Sequence, residues 1–347
     1  MEKIMIPPLD SNAAEVIKNN WAKMDKPLHS LGKLEEMVEK YAAMTGTALP
    51  DKIKSAMLLM CGDHGIAKYG VSAYPQEVTM QMINGYMRET AGANVMARHA
   101  GADVFVIDAG TAFDLSAMPK VHQEKVAWGT EDFTQGPAMT VEQAEKALKV
   151  GMKVADECID KGYNLLVTAE MGIGNTTSTA AIVSAFLGLP PEFTVGRGTG
   201  INDERMAIKR KVVADGLAKN QPRLGDAMDI LCKVGGYDHA GLAGMILAGA
   251  RRRIPTMVDG VNATAAALLA YGLEPACADY MLCSHLSAEI SHAKMLEVLR
   301  LTPIVDAGMR LGEGTGASLA IVILQMAINT YKAVSYTHLT LPTSQKV

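Results

Sequence analysis

The chain has 347 residues, 49% of them apolar and 20% charged, with a net charge of −4. That length can hold one large α/β core, alone or with a smaller appendage, and the composition is that of an ordinary globular protein in water. The charge balance argues against nucleic acid or an anionic membrane as partner, and aromatics at 5% are too few for a base-stacking surface.

Residues 1–50 show helical spacing and no strand. Two amphipathic helices are predicted, over 13–24 and 31–44, with Ser30 as N-cap of the second and Gly46 as its stop. They read as a small helical subdomain, completed by a last helix over 317–334, beside an α/β domain over 51–316. The opening residues are no signal peptide, and no uncharged apolar run approaches the roughly 18–20 residues of a bilayer span. The five cysteines, odd in number and without CxxC spacing, fit reduced thiols in a cytoplasm rather than disulfides or a zinc site.

From 56 onward, short apolar runs each end in a polar or glycine-containing loop. They lie at 56–61, 104–107, 165–169, 256–258, 280–283 and 303–305, separated by Ala/Met/Leu-rich segments such as 141–161 and 203–218 with helical spacing. Strands alternating with helices predict a Rossmann-like, doubly wound, mostly parallel six-stranded sheet. Ligands bind such sheets at the carboxyl ends of the strands, where these loops collect. The tail, 335–347, breaks the helical pattern and reads as adapter-derived sequence or a disordered end, so it is set aside.

Several loops can carry chemistry. Gly62-Asp-His-Gly65 places an acid and an imidazole at a strand tip; without HExxH or a second histidine at ligand spacing, His64 reads as structural and no metal is expected. The segment from Gly70 to Gln81 offers Ser72, Tyr74 and Gln81, with Met80 and Met82, to a flat ligand, although methionines on a helix also serve as core. Glu170-Met-Gly-Ile-Gly-Asn-Thr-Thr-Ser178 follows a strand and opens a helix. Gly172 and Gly174 allow the turn, and Asn175, Thr176 and Thr177 offer donors at the helix start. It is neither a P-loop nor GxGxxG, and a capped βα turn accounts for it equally well. Gly196-Arg-Gly-Thr-Gly200 precedes a helix bearing Lys209; Arg197 and Lys209 could meet phosphate, and Asp203 reads as an N-cap. Ser284-His-Leu-Ser-Ala-Glu289 is a further polar strand tip. Last, Arg310-Leu-Gly-Glu-Gly-Thr-Gly316 holds Glu313 among glycines, a candidate general base next to backbone that can approach an anion.

Taken in order, Gly62-Asp-His-Gly65, Ser72-Ala-Tyr-Pro-Gln-Glu-Val-Thr79, Glu170-Met-Gly-Ile-Gly-Asn-Thr-Thr177, Gly196-Arg-Gly-Thr-Gly200, Leu242-Ala-Gly244, Asp259-Gly260, Ser284-His285 and Leu311-Gly-Glu-Gly-Thr-Gly316 resemble the nicotinate-nucleotide–dimethylbenzimidazole phosphoribosyltransferases. The resemblance spans about 5–333. It implies transfer of phosphoribose from nicotinate mononucleotide to a benzimidazole-type base, a homodimer, and no metal or cofactor. It makes Glu313 the catalytic base, Glu170 a second functional glutamate, and Lys209 the matching lysine. The implied substrate-binding set is Ser72, Tyr74, Gln81, Gly172, Gly174, Asn175, Thr176, Thr177, Gly198, Lys209, Ser284, Arg310, Leu311, Gly312, Gly314, Thr315 and Gly316. Other benzimidazoles, purines or phenols are alternative acceptors. An NAD-dependent Rossmann oxidoreductase lacks its GxGxxG fingerprint here, and a nucleotide sensor without turnover would have no need of both glutamates.

Overall fold

The computed structural model describes residues 4–46, 49 and 52–333; the predicted tail at 335–347 lies outside the described residues. Six strands form one sheet: β1 (Ser55–Gly62), β2 (Ala102–Gly110), β3 (His122–Gln123), β4 (Leu165–Met171), β5 (Thr256–Val258) and β6 (Met281–Cys283). Their order is β3-β2-β1-β4-β5-β6 and every pairing is parallel. All residues of β1 and β4 are buried, as expected of central parallel strands covered by helices on both faces.

Five of the six predicted strands form. The run at 303–305 contributes only one bridge, from Val305 to His285, because Pro303 has no N–H to give to a ladder. The sixth place is taken by β3, which pairs with Ile107 and Asp108 and has no apolar run to announce it.

The strand order reverses between β1 and β4, opening a crevice at their carboxyl ends. The two strand tips touch there: a Cβ on Gly172 would stand 1.8 Å from the Gly62 carbonyl oxygen, so only glycine fits. On the sheet's flank, helix Tyr237–Arg251 is buried almost throughout and lies against helix Val141–Asp160, whose start carries a Thr140/Gln143 capping box. Glycine makes that contact possible, since a Cβ on Gly151 would lie 1.8 Å from the Gly241 oxygen and one on Gly244 2.0 Å from the Leu148 oxygen.

At the amino end, helices Ser11–Trp21 and Lys33–Thr45 form as predicted. Gly46 closes the second in the left-handed region at φ 65°, but Ser30 does not cap it; its start is Gly32, with no side-chain cap. Trp21 meets Tyr331 of helix Thr315–Ala333 edge to face at 5.0 Å, and Asn20 Nδ2 donates to the Tyr331 hydroxyl at 2.8 Å. In helix Asp203–Asn220, the cap is Asn202, which accepts the Arg205 N–H, while Asp203 is the first helical residue. No described helix is long and apolar enough to cross a membrane.

Candidate active site

A cavity of about 710 Å³ opens at the carboxyl edge of the sheet, over the reversal between β1 and β4. Its walls include Tyr74, Glu170, Gly172, Asn175, Thr176, Gly198, Arg310, Leu311, Gly312 and Glu313, ten of the predicted residues drawn from well-separated stretches of chain. A larger groove, about 1080 Å³, runs along the first half of β2 at the opposite edge and holds none of them.

Glu170 is the penultimate residue of β4, which aims its side chain into the crevice. Its Oε2 accepts a short hydrogen bond from Asn175 Nδ2, and Oε1 lies where a Cβ on Gly312 would stand 2.5 Å away. Burial pushes the Glu170 carboxyl well above its ordinary range, Asp238, Asp259 and Glu313 add to the effect, and the nearby Asn262 side chain opposes it.

Glu313 sits on the loop before helix Thr315–Ala333, in three successive left-handed residues with φ 82°, 60° and 76° at Gly312, Glu313 and Gly314. A glutamate in that region carries a cost of about 1 kcal/mol or more, which a fold tolerates where surrounding contacts impose it. Asp259, just beyond β5, imposes it: its carboxylate accepts the N–H of Gly314 at 3.0 Å and of Ala317 at 2.9 Å. The Thr315 hydroxyl donates to the Gly312 oxygen at 2.7 Å. Burial raises the Glu313 carboxyl, with Asp259 adding and the nearby Tyr86 hydroxyl opposing. Tyr86 is itself buried and makes no hydrogen bond of ordinary geometry.

This arrangement corrects one expectation. The amides of Gly314 and Ala317 are already given to Asp259, so the start of that helix is occupied by the chain's own anion. Gly314, Thr315 and Gly316 are buried behind the wall; a Cβ on Gly316 would strike the His285 ring at 2.0 Å.

The cations gather elsewhere. Lys209 is 1% exposed, and its Nζ donates to Thr176 Oγ1 at 2.8 Å, within 3.1 Å of a Cβ built on Gly198. Burial lowers its pKa to about 8, against the pull of Glu289. Arg310 Nη1 lies 3.5 Å from the Gly198 oxygen on the same wall. Arg197, by contrast, points away into an exposed pair with Asp203 at 2.6 Å.

Other predicted residues stand behind the cavity. The Ser72 hydroxyl meets Thr199 Oγ1 at 3.2 Å, Gly174 turns the β4 loop at φ 101°, Thr177 is fully buried, and Ser284 meets His285 Nδ1 at 2.9 Å. Gln81 is exposed on helix Val78–Met87, outside the walls. His64 has partners that its local sequence does not show. The fold brings a second histidine to it from the far half of the chain: His64, Asp238 and His239 place donor atoms within 4.8 Å of one another. Both imidazoles approach Asp238 at 3.1–3.2 Å, and the far nitrogen of His239 is taken by Thr179 at 2.8 Å, so we read a buried polar cluster rather than a metal site. Asn262 lines the cavity and is a site residue that local pattern does not single out; for Asp238 and His239, which reach it through Thr179, the acid–imidazole pair is the one available signal.

The sequence model of a family described as phosphoribosyltransferase matches residues 6–338. The chain is 47% identical, over 322 residues, to the nicotinate-nucleotide–dimethylbenzimidazole phosphoribosyltransferase of Chloroflexus aggregans, covering 93% of this chain and 91% of that protein. It is 46% identical over 318 residues to the enzyme of the same name from Geobacter sulfurreducens, covering 91% and 90%. The crystal structure of CobT from Thermus thermophilus superposes with a TM-score of 0.88 at 40% identity, covering 92% of this chain and 96% of that one. With two buried glutamates in one cavity at the carboxyl edge of the sheet, a buried lysine hydrogen-bonded to Thr176 of its wall, and likeness on this scale along nearly the whole chain, the protein belongs to the nicotinate-nucleotide–dimethylbenzimidazole phosphoribosyltransferase family.

Proposed function

We propose that this cavity moves phosphoribose from nicotinate mononucleotide to 5,6-dimethylbenzimidazole, giving α-ribazole 5′-phosphate and nicotinate with inversion at C1′. The observation that supports it most is the pair of buried carboxylates, Glu170 on β4 and Glu313 on its left-handed loop, sharing one cavity. Nicotinate is bound as a cationic N-glycoside and leaves with its ring nitrogen neutral, so no acid is needed there. Positive charge grows on the ribose, and a carboxylate at Glu170 stabilises it. The incoming benzimidazole attacks through one nitrogen while its N–H passes a proton to Glu313, the general base. Because burial raises the Glu313 carboxyl, its conjugate base is a better proton acceptor than an exposed carboxylate.

The 5′-phosphate fits best between Lys209, Thr176, Gly198 and Arg310, where two cations and a hydroxyl converge. Lys209→Met is expected to raise the KM for nicotinate mononucleotide by roughly 10–100-fold with a smaller change in kcat, the cost of losing a charge-assisted hydrogen bond. Wild-type KM is expected to climb as pH rises through about 8, where the lowered Lys209 loses its proton. The same shift makes the buried cation a cost to folding below that pH, lifted as pH rises toward the ordinary lysine value of 10.5. A KM flat from neutral pH to well above 8 would remove Lys209 from the phosphate site.

Tyr74 and Leu311, 54% and 61% exposed, stand at the cavity mouth and suit the face of an aromatic base. The packing of Ser11–Trp21 and Lys33–Thr45 with the carboxyl-terminal helix supports a small helical subdomain of 1–50 completed by 317–334, beside the α/β domain 51–316. Leu319, Val322 and Met326 recur along one exposed face of that last helix, which supports a homodimer. The deciding experiment offers nicotinate mononucleotide with dimethylbenzimidazole, other benzimidazoles, adenine and phenols, with products separated by chromatography and the particle mass measured on the same sample. Dimethylbenzimidazole is expected to be the best acceptor. No nicotinate released with any base would sink the reading, and preference for a purine or phenol would replace the acceptor.

A further inference from the structure

The polar strand tip from Ser284 to Glu289 has no part in the transfer chemistry above, yet His285, Ser287 and Glu289 all line the cavity. His285 is 2% exposed, and its ring packs on Gly316, where a Cβ would stand 2.0 Å from Nδ1. Nδ1 lies 2.9 Å from the Ser284 hydroxyl. Nε2, the ring's other polar atom, has no hydrogen-bond partner among the described residues.

The Ser284 contact fixes where the ring hydrogen sits. Ser284 is fully buried and makes no other side-chain hydrogen bond among the described residues, so its one hydroxyl proton goes to Nδ1. Turned away, that proton would be a buried donor without an acceptor. Asp259 Oδ1 does not compete for Nδ1: it is 3.9 Å away, beyond hydrogen-bond reach, and already accepts the Ala317 N–H. The ring hydrogen is then on Nε2, and His285 presents a donor.

That donor stands at the start of helix Val261–Leu273, 13 residues long, whose cap Gly260 supplies no side-chain acceptor. A Cβ on Gly260 would lie 3.5 Å from His285 Nε2 and 3.9 Å from the Ser287 Cβ, and Gly260 and Val261 line the same wall. The first amide N–H groups of a helix have no partner within it, and its positive end favours an anion. Ser287, 5% exposed, accepts the Glu289 N–H at 3.4 Å and keeps its own hydroxyl proton to give. Imidazole, hydroxyl and helix amides thus meet at one place, while the cations Lys209 and Arg310 collect at Gly198.

Nicotinate mononucleotide carries two anionic groups. Its phosphate belongs with the cations; its ring carboxylate, planar and singly charged, is left for the neutral donors. We propose that His285, with Ser287 and the helix start at Gly260 and Val261, binds the carboxylate of the nicotinate ring and selects nicotinate over nicotinamide mononucleotide. A carboxamide offers one oxygen where a carboxylate offers two, and its NH2 would meet these donors with a donor. Ser284 then acts through His285, as a positioning residue. The inference rests on the function proposed above.

His285→Phe keeps a planar ring and removes the donor, and His285→Gln returns an amide N–H near the place of Nε2. The test measures kcat/KM with nicotinate and with nicotinamide mononucleotide at fixed dimethylbenzimidazole, and binding of free nicotinate by calorimetry. Wild type is expected to prefer the nicotinate nucleotide by about 10–100-fold, the worth of hydrogen bonds to a charged group. The phenylalanine variant is expected to lose most of that preference, through KM for the nicotinate nucleotide, with the nicotinamide nucleotide changed less than about threefold and nicotinate bound more weakly. Glutamine is expected to restore most of it. Ser287→Ala is expected to lower the preference by a smaller factor, and serves if the phenylalanine variant does not fold. Equal losses on both nucleotides, an unchanged preference in the folded variants, or a wild type indifferent to the carboxylate overturns the proposal. A wild type that releases no nicotinate with any base would strike the functional reading instead, which separates the two failures.

Discussion

Glu313→Gln is expected to lower kcat by about 10²–10⁴-fold, the usual worth of a positioned general base, with KM for both substrates little changed. Glutamine keeps the size and the left-handed backbone of position 313 and cannot take a proton from the attacking base. The loop should hold its shape in the variant, because Asp259 binds Gly314 and Ala317 through backbone amides that the substitution does not touch. Stability should move the other way. Burial raises the Glu313 carboxyl above its ordinary 4.5, so the folded state favours the protonated form; that preference is fully met below about 4.5 and becomes a penalty as pH rises through the raised value. Glutamine has no such penalty, so its melting temperature at neutral pH should equal or exceed that of the wild type. Glu313→Gly should be more stable still, since it also relieves the strain at φ 60°, and equally inactive. Steady-state kinetics and thermal melts on the same preparations check both. A glutamine variant that retained most of its turnover would end the general-base assignment.

Gly151→Ala is the corresponding test of the scaffold. The added methyl would lie 1.8 Å from the Gly241 carbonyl oxygen, which is helix backbone and cannot turn aside as a side chain can. Helices Val141–Asp160 and Tyr237–Arg251 would have to separate, and the second is buried on almost every side. A loss of about 3 kcal/mol or more is expected, at the upper end for overpacking a core, measured as a lowered denaturant midpoint. Gly162→Ala is a useful contrast at a position with open space, where only the left-handed φ of 84° is strained. Helix Tyr237–Arg251 carries Asp238 and His239 in its first turn, so separation of the helices should also weaken activity in whatever fraction remains folded.

Much of this architecture was legible from local pattern. Runs such as those of β1 and β4 are apolar on both faces, and a strand in that state has few homes other than a covered parallel sheet. The glycine loops at 172–174 and 312–316 marked the carboxyl edge of the sheet, and Glu170 and Glu313 were found because each stands inside such a loop or at its start. Short-range reading failed where pairing depends on partners far along the chain. The two residues of β3 owe their strand conformation to the edge of β2, and 303–305 could not form a ladder through its proline.

By itself, the sequence determined the alternation of strands and helices, the order of the polar loops, and the two glutamates with their glycine neighbours, since periodicity and backbone freedom are properties of adjacent residues. Only the tertiary structure decided what those groups face. Asp259 fills the helix start that the glycines at 312–316 were expected to offer an anion, and the cations of Lys209 and Arg310 collect around Gly198 instead. The Asp238–His239–Thr179–Asn262 chain is likewise assembled from three separate helices. Electrostatic environment and hydrogen-bond direction depend on distance in space, and the reversal of strand order between β1 and β4 is what brings these segments to one crevice.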